Sequence, residues 1–419
     1  MSKQNIQQEC DAYLWFRKAA ERGNAYAQFN LALQYKRGEQ TERNEDVAFI
    51  WMGCAARQGL AFAQNHLGTM YFHGRGTVQD DTEALYWFRS AAAQGEPAAQ
   101  QNLGQMYRKG RGVTQNDELA LAWFSRSAEQ GVPGAQAMLG VHYARGLGCM
   151  ANIALALAWF RKAAAQGDAL AQLNLGLLHK SGQGVPRDDV QALAFFRLAA
   201  AQGLPKAQFH LGAAYAEGRG VKPDQERAFA WFSLAAQHGN ADAQYSLGSM
   251  YVHGRGVGRD PQRALEYFRQ AAEKGAANAQ FNLGLMYANG QGVAQDEECA
   301  AVWYRLAAEQ GDASAQNNLG VMYANGQGVE QDEAEAVRWY GEAAEQGHAL
   351  AQYNLSGMYQ TGRGVEPDQV RSYMWISLAA DAGDAAACNS RALIESKLSV
   401  EELGSARALT RHWRETHRV

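Results

Sequence analysis

The sequence predicts an all-α protein in which short two-helix units stack one on the next. Two observations carry this. Glutamine stands at 28, 64, 100, 136, 172, 208, 244, 280, 316 and 352, and glycine at 23, 59, 95, 131, 167, 203, 239, 275, 311, 347 and 383, both on one ruler of 36 residues. A fixed period in this range marks a stacked repeat architecture, a solenoid. One pair of helices cannot bury both of its apolar ridges; a stack can, because each pair covers the previous one.

The unit at 240–275 shows what each period contains. Asn240 can cap a first helix by accepting from the free amides of its opening turn. Ala243, Leu247 and Tyr251 recur at helical spacing, with Gly248 beside them, and give one apolar or small face. The turn Gly254-Arg255-Gly256-Val257 comes next, its glycines free to take positive φ, with Val257 as an apolar plug. Asp260 then caps a second helix, with Pro261 where a missing N–H costs nothing. Ala264, Tyr267, Phe268, Ala271 and Ala272 form its buried ridge, and Gly275 closes it.

In chain order, residues 1–23 hold a second helix without its first, through Tyr13, Trp15, Phe16, Ala19 and Ala20. Ten full units occupy 24–383. The first has a looser turn at Glu39-Gln40-Thr41-Glu42, and the unit at 132–167 has Gly146-Leu147-Gly148-Cys149-Met150 and then Asn152. The remainder, 384–419, is a shortened first helix near 385–397 and a capping helix opened by a Ser399-x-x-Glu402 box.

The 419 residues carry a net charge of −4, which gives no global electrostatic case for nucleic acid or an anionic membrane. Cys10, Cys54, Cys149, Cys299 and Cys388 share no repeat position and form no CxxC, as expected of unpaired thiols in a reducing, cytoplasmic setting. The first twenty residues hold no apolar signal core, and no apolar run is long enough to cross a membrane.

No motif points to catalysis or to a cofactor. The Gly-x-Gly turns come after helices and lack the third glycine of a dinucleotide cradle. The pairs Glu297-Glu298 and Asp332-Glu333 sit where helices begin and complement the dipole. The histidines form no zinc pattern; His73 and His253 share a repeat position far apart in the stack. Nine of the ten tryptophans share one repeat position, assigned to the buried ridge of the second helix.

The units resemble the Sel1-like repeat, a relative of the tetratricopeptide repeat with a longer inter-helix turn. The match lies in Ala243-Gln244, Leu247-Gly248, Met250-Tyr251, Gly254-x-Gly256-Val257, Asp260, Ala264, Phe268, Ala271-Ala272 and Gly275, with counterparts along nearly the whole chain. The resemblance implies a right-handed α/α superhelical solenoid with a C-terminal capping helix, and a role in assembling protein complexes.

In the related tetratricopeptide architecture, the face of the first helix opposite its core ridge lines a concave groove. Here that face carries Tyr26, Phe29, Lys36, Arg37, Phe62, Phe72, His73, Arg108, Lys109, Arg145 and Lys180 in the early units. Later units place Phe209, Tyr245, Phe281, Asn289, Asn325 and Tyr353 there. Aromatics beside arginine are residue types that anchor protein interfaces. The leading expectation is a non-catalytic adaptor whose groove holds an extended or helical, acidic segment of a partner protein. An inhibitor or immunity-type protein clamping a cognate effector is a narrower form of it. A glycan or another polymer is a further alternative; the basic start and the Arg407, Arg411, Arg414, Arg418 end keep nucleic acid a weaker one.

Overall fold

The computed structural model describes residues 14–39 and 41–417. Cys10, Tyr13, Gln40 and Arg418 lie outside the described residues. Every regular element among the described residues is helical. The chain gathers into two compact units, Met1–Ala207 and Gln208–Val419.

The first unit opens with α1, at 14–21. It has five first-position helices: α2 (Ala25–Arg37), α4 (Ala61–His73), α6 (Pro97–Lys109), α8 (Pro133–Arg145) and α10 (Ala169–Ser181). Their second-position partners are α3 (Glu45–Arg57), α5 (Asp81–Ala93), α7 (Asp117–Glu129), α9 (Ile153–Ala165) and α11 (Asp189–Ala201). Consecutive helices pack together, and the cores run from one pair into the next.

The second unit takes up the pattern within α12 (Pro205–Glu217), paired with α13 (Gln225–Gln237). The later pairs are α14 (Ala241–His253) with α15 (Pro261–Ala272), and α16 (Ala277–Asn289) with α17 (Glu297–Glu309). Then come α18 (Ala313–Asn325) with α19 (Glu333–Glu345), and α20 (Ala349–Thr361) with α21 (Gln369–Asp381). The chain ends in α22 (Ala385–Glu395) and α23 (Val400–Thr416), the latter opened by the Ser399–Glu402 capping box.

The turn between the two helices of a unit also meets the unit before it. Gly254 and Gly256 have φ of 66° and 67°, in the left-handed region where a Cβ is costly. A Cβ on Gly256 would also overlap the carbonyl of Gln225 at the start of the preceding second helix. The Gly-x-Gly segment is therefore an inter-repeat joint. Asp260 fixes the start of α15: its carboxylate accepts from the Arg263 amide, and its own amide donates to the Tyr251 carbonyl, each at 3.0 Å.

Glycine at the middle of the first helix has a different cause. A Cβ on Gly248 would stand 2.7 Å from the ring of Phe268, so the ring packs flat on bare backbone. Two repeats lack this glycine, and both lack the ring. Ala32 faces a chain with Met52 at the ring position, and Ser356 one with Ile376.

The tryptophans depart from expectation. Trp339 and Trp375 are buried, Trp15 is 65% exposed, and the other six at that repeat position are half-buried. The fully buried ring is the residue after it, as in Phe88, Phe124 and Phe160, and Leu265 belongs to the ridge while Tyr267 is half-buried. The position lies at the margin of the helical stripe, so these rings flank the core and do not fill it. Cations roof several of them: Arg126 lies 4.5 Å from the Trp123 ring centre, and Lys162 4.2 Å from that of Trp159. Trp413 of α23 caps the second unit, its indole N–H donating to Glu345 at 2.7 Å.

Candidate functional site

The face of each first helix opposite its core ridge is one surface the packing leaves open; the outer face of the second helices, with Ile50, Tyr86 and Val190 exposed, is another. In α14, Ala243, Gln244, Leu247, Gly248, Met250 and Tyr251 are buried, while Asp242 and His253 are exposed. Of the predicted site residues, Tyr26, Arg37, Phe62, His73, Lys109, Arg145, Asn289 and Asn325 are exposed. Phe29, Lys36, Phe72, Arg108, Lys180, Phe209, Tyr245, Phe281 and Tyr353 are half-buried.

The half-buried rings share a cause. Phe209 lies 5.7 Å from Phe232, Tyr245 5.7 Å from Phe268, and Phe281 5.9 Å from Tyr304, centre to centre. Each rests on the core ring of its own second helix and offers one edge outward. Phe29 packs against His66 at 5.5 Å. Phe72 is covered by the Arg111 guanidinium, 3.7 Å above its ring. Phe209 and Tyr245 meet at one open cavity of about 220 Å³, together with Ser249 and Glu217.

Charge on this face differs between the units. In the first unit, α2 ends in Lys36-Arg37, α6 in Arg108-Lys109, α8 in Arg145 and α10 in Lys180. Lys36, Lys109, Arg145 and Lys180 form no ion pair among the described residues, whereas turn arginines such as Arg111 and Arg187 pair with Asp81 and Asp189. Arg37 reaches Glu39 at 3.6 Å, and Arg108 bonds Gln105. Burial, then Arg75, hold the Lys36 ammonium below its ordinary pKa, against the pull of Glu45. Burial first and then Lys36 and Arg37 act likewise on His66, and burial with Arg75 and Arg111 on His73. In the second unit α16, α18 and α20 carry no cation in their last turn.

At the C-terminal end, Arg407 pairs with Glu395 at 2.8 Å and Arg414 with Asp381. Of the arginines expected to form a basic end, two are thus neutralised within the second unit. No group of three or more His, Cys, Asp or Glu residues among the described residues is placed to hold a metal ion. No helix there is long and apolar enough to cross a membrane.

One buried titratable group lies beneath the first unit's face. His142 is fully buried; its Nδ1 bonds the Leu147 carbonyl at 3.0 Å, its ring meets Phe124 at 5.3 Å, and its Nε2 has no partner among the described residues. Six repeats have methionine at this position and one has leucine. Burial lowers the pKa of His142, the Leu147 carbonyl and Asp117 oppose that, and Arg108 adds to it. The unfolded chain then takes up the proton first, near pH 6.5, so the neutral ring's contribution is complete above that pH and lost as pH falls. His142→Met is expected to flatten the fall in stability between pH 7 and 5, as read in urea titrations at several pH values.

A family model described as the Sel1 repeat matches the chain in eleven consecutive segments, from 1–24 and 25–60 through to 349–384. The chain belongs to the Sel1-repeat family. Among solved structures, a protective antigen of uropathogenic Escherichia coli with this repeat fold is 34% identical. That match covers 97% of this chain and 95% of that one, with a TM-score of 0.58. A Sel1-repeat protein of Oxalobacter formigenes is 37% identical over 73% of this chain and 90% of its own, with a TM-score of 0.54. An immunity protein of Pseudomonas aeruginosa, 22% identical over 51% of this chain and 81% of its own, has a TM-score of 0.35, a likeness too distant to bear on binding. No curated protein sequence matches the chain. Sel1-repeat solenoids are a protein-interaction fold.

What residue-by-residue reading missed is a second open cavity, of about 400 Å³, between α18, α20 and α22. Its signal in the sequence is Gly357, where other repeats carry Leu33, Val141, Leu177, Leu285 or Val321.

Proposed function

We propose that this Sel1-repeat protein is a non-catalytic adaptor that holds an acidic segment of a partner protein against the first-helix face of its first unit. The observation that carries the reading is the set of cations at the ends of α2, α6, α8 and α10, most of them unpaired. Cations there complement the helix dipole. That alone does not account for them, because α16, α18 and α20 of the second unit end without any. Half-buried aromatics between them, Phe29 and Phe72, supply the apolar contact that fixes an interface once charge has steered the encounter. The unpaired thiols Cys54, Cys149, Cys299 and Cys388 favour a reducing, cytoplasmic location.

The test is a Lys36→Glu, Arg37→Glu, Arg108→Glu, Lys109→Glu variant beside the corresponding glutamine variant, which spares the helix ends from added negative charge. Affinity for the native partner, identified by cross-linking in the host, should fall by at least about tenfold and lose most of its salt dependence. Both variants should keep the parent's circular dichroism. Unchanged affinity in the glutamate variant would sink the proposal.

A further inference from the structure

We infer that the cavity between α18, α20 and α22 is an anchor site for one neutral aromatic side chain that carries a hydrogen-bond donor, a tryptophan or tyrosine of the bound segment. The inference rests on the reading of the chain as a segment-binding adaptor and adds a second, chemically different contact, wholly within the second unit.

The cavity exists because one repeat breaks the packing rule of the others. Upstream, the Phe281 ring rests on Tyr304, and Leu285 fills the space beside it. At the corresponding places α20 and α21 supply Tyr353, Ile376 and Gly357, so both the core ring and the filling side chain are missing. Ser356 cannot refill the gap, because its hydroxyl is turned toward α21, donating to the Ser372 carbonyl at 2.8 Å. The short helix α22 contributes Ser390 and Ile394 to the far wall. The result is about 400 Å³ of open space, within the range of small-ligand pockets and ample for an indole.

The lining specifies the guest. Met358, Ile376 and Ile394 make an apolar floor and Tyr353 an aromatic wall. The one cation in the lining, Arg363, is committed to Glu333 at 2.7 Å and to the Ala324 carbonyl at 3.2 Å. A charged guest would lose its hydration without gaining a counter-charge. The polar rim has spent protons inward. Thr361 donates its only hydroxyl proton to the Gly357 carbonyl at 2.8 Å, Asn354 donates to Asn317 at 3.0 Å, and Asn325 to Gln327 at 3.3 Å. What faces the cavity from Thr361 is therefore an acceptor, and both amides keep a carbonyl oxygen to offer beside one remaining N–H. An indole N–H or a phenol O–H satisfies the acceptors; a phenylalanine ring leaves them unpaired.

Gly357 provides the control, since a Cβ there meets nothing within 4 Å and leucine already stands at that position in other repeats. Binding of N-acetyl-tryptophanamide to the intact protein is monitored by saturation-transfer NMR, beside its indole-N-methylated analogue and free tryptophan. The amide should bind, the methylated analogue about tenfold more weakly, and free tryptophan more weakly still because its two charges find no partners. Gly357→Leu should abolish binding at an unchanged or higher melting temperature, and Thr361→Val should weaken it. Absence of amide binding, equal binding of the methylated analogue, or undiminished binding by Gly357→Leu would each overturn the inference. Tighter binding of free tryptophan would reassign the cavity to a free amino acid and overturn the side-chain assignment. The assay needs no partner, so its failure leaves the charge-dependent capture by the first unit standing, and failure of that capture leaves the cavity result intact.

Discussion

Gly248→Ala is expected to destabilise the α14–α15 pair by about 2 kcal/mol, although alanine is the better helix former by about 1 kcal/mol. The new methyl would stand 2.7 Å from the Phe268 ring, closer than real side chains approach, and that ring is 1% exposed with no free side to move into. Phe268→Met should cost about 1–2 kcal/mol through lost packing. The informative variant is the double one. With the ring replaced by a flexible thioether chain, the alanine methyl has room and its helix propensity counts. Gly248→Ala in the Phe268→Met background should then be neutral or slightly stabilising, a coupling of about 2–3 kcal/mol between the two sites. The chain already contains this solution as Ala32 with Met52, both fully buried. Hydrogen exchange at the α14 and α15 amides is the suitable readout, since repeat proteins open locally. The same cost for Gly248→Ala in both backgrounds would show that the glycine serves some purpose other than admitting the ring.

This pairing also shows what could be read from residues alone. The period, the helix starts and the left-handed turns were legible because each depends on a few residues adjacent in sequence: Asp260 with the amide of Arg263, or Gly254 with Gly256. The aromatics of the open face were legible only in part. A wheel drawn on one helix places Tyr245 outward correctly, but it does not contain Phe268, which covers part of that ring from the partner helix. The tryptophans were misjudged for the same reason. Their helical angle lies at the edge of the stripe, and what the neighbouring repeat covers there settles their burial. The cavity beside Tyr353 is still less legible, since it arises from Gly357, Ile376 and Ser390, three residues unremarkable singly and brought together from three helices. The cations at the ends of α2, α6, α8 and α10 can be read off the sequence, but which of them lack an ion pair depends on their neighbours: Arg37 meets Glu39, and Lys36 meets no carboxylate within salt-bridge reach among the described residues.

The recurrent glutamine, the clearest mark in the sequence, leads to the other large effect. Gln316 is 3% exposed and Gln352 2%, so burial alone predicts the same response to replacement by leucine. Their hydrogen bonds differ. The Gln316 amide N–H donates to the Ala308 carbonyl and to Glu342, each at 3.1 Å, and its carbonyl accepts from Gln346 at 2.7 Å. Gln346 closes the same unit, so this bond ties the first helix of a repeat to the end of its second, while the bond to Ala308 reaches back to the preceding repeat. The same rung recurs as Gln58 to Gln28, Gln94 to Gln64 and Gln310 to Gln280, and Lys274 takes it over for Gln244 at 3.0 Å. Gln352 makes the inner bond alone, to the Ala344 carbonyl at 3.1 Å, because Ala382 stands where the next rung would begin. At about 1 kcal/mol for each net hydrogen bond, Gln316→Leu should cost about 3 kcal/mol and Gln352→Leu about 1 kcal/mol. Hydrogen exchange in α18 and α20 separates the two. Equal losses would mean that the period is kept by side-chain volume, and that the rung joining the two helices of each repeat contributes nothing of its own.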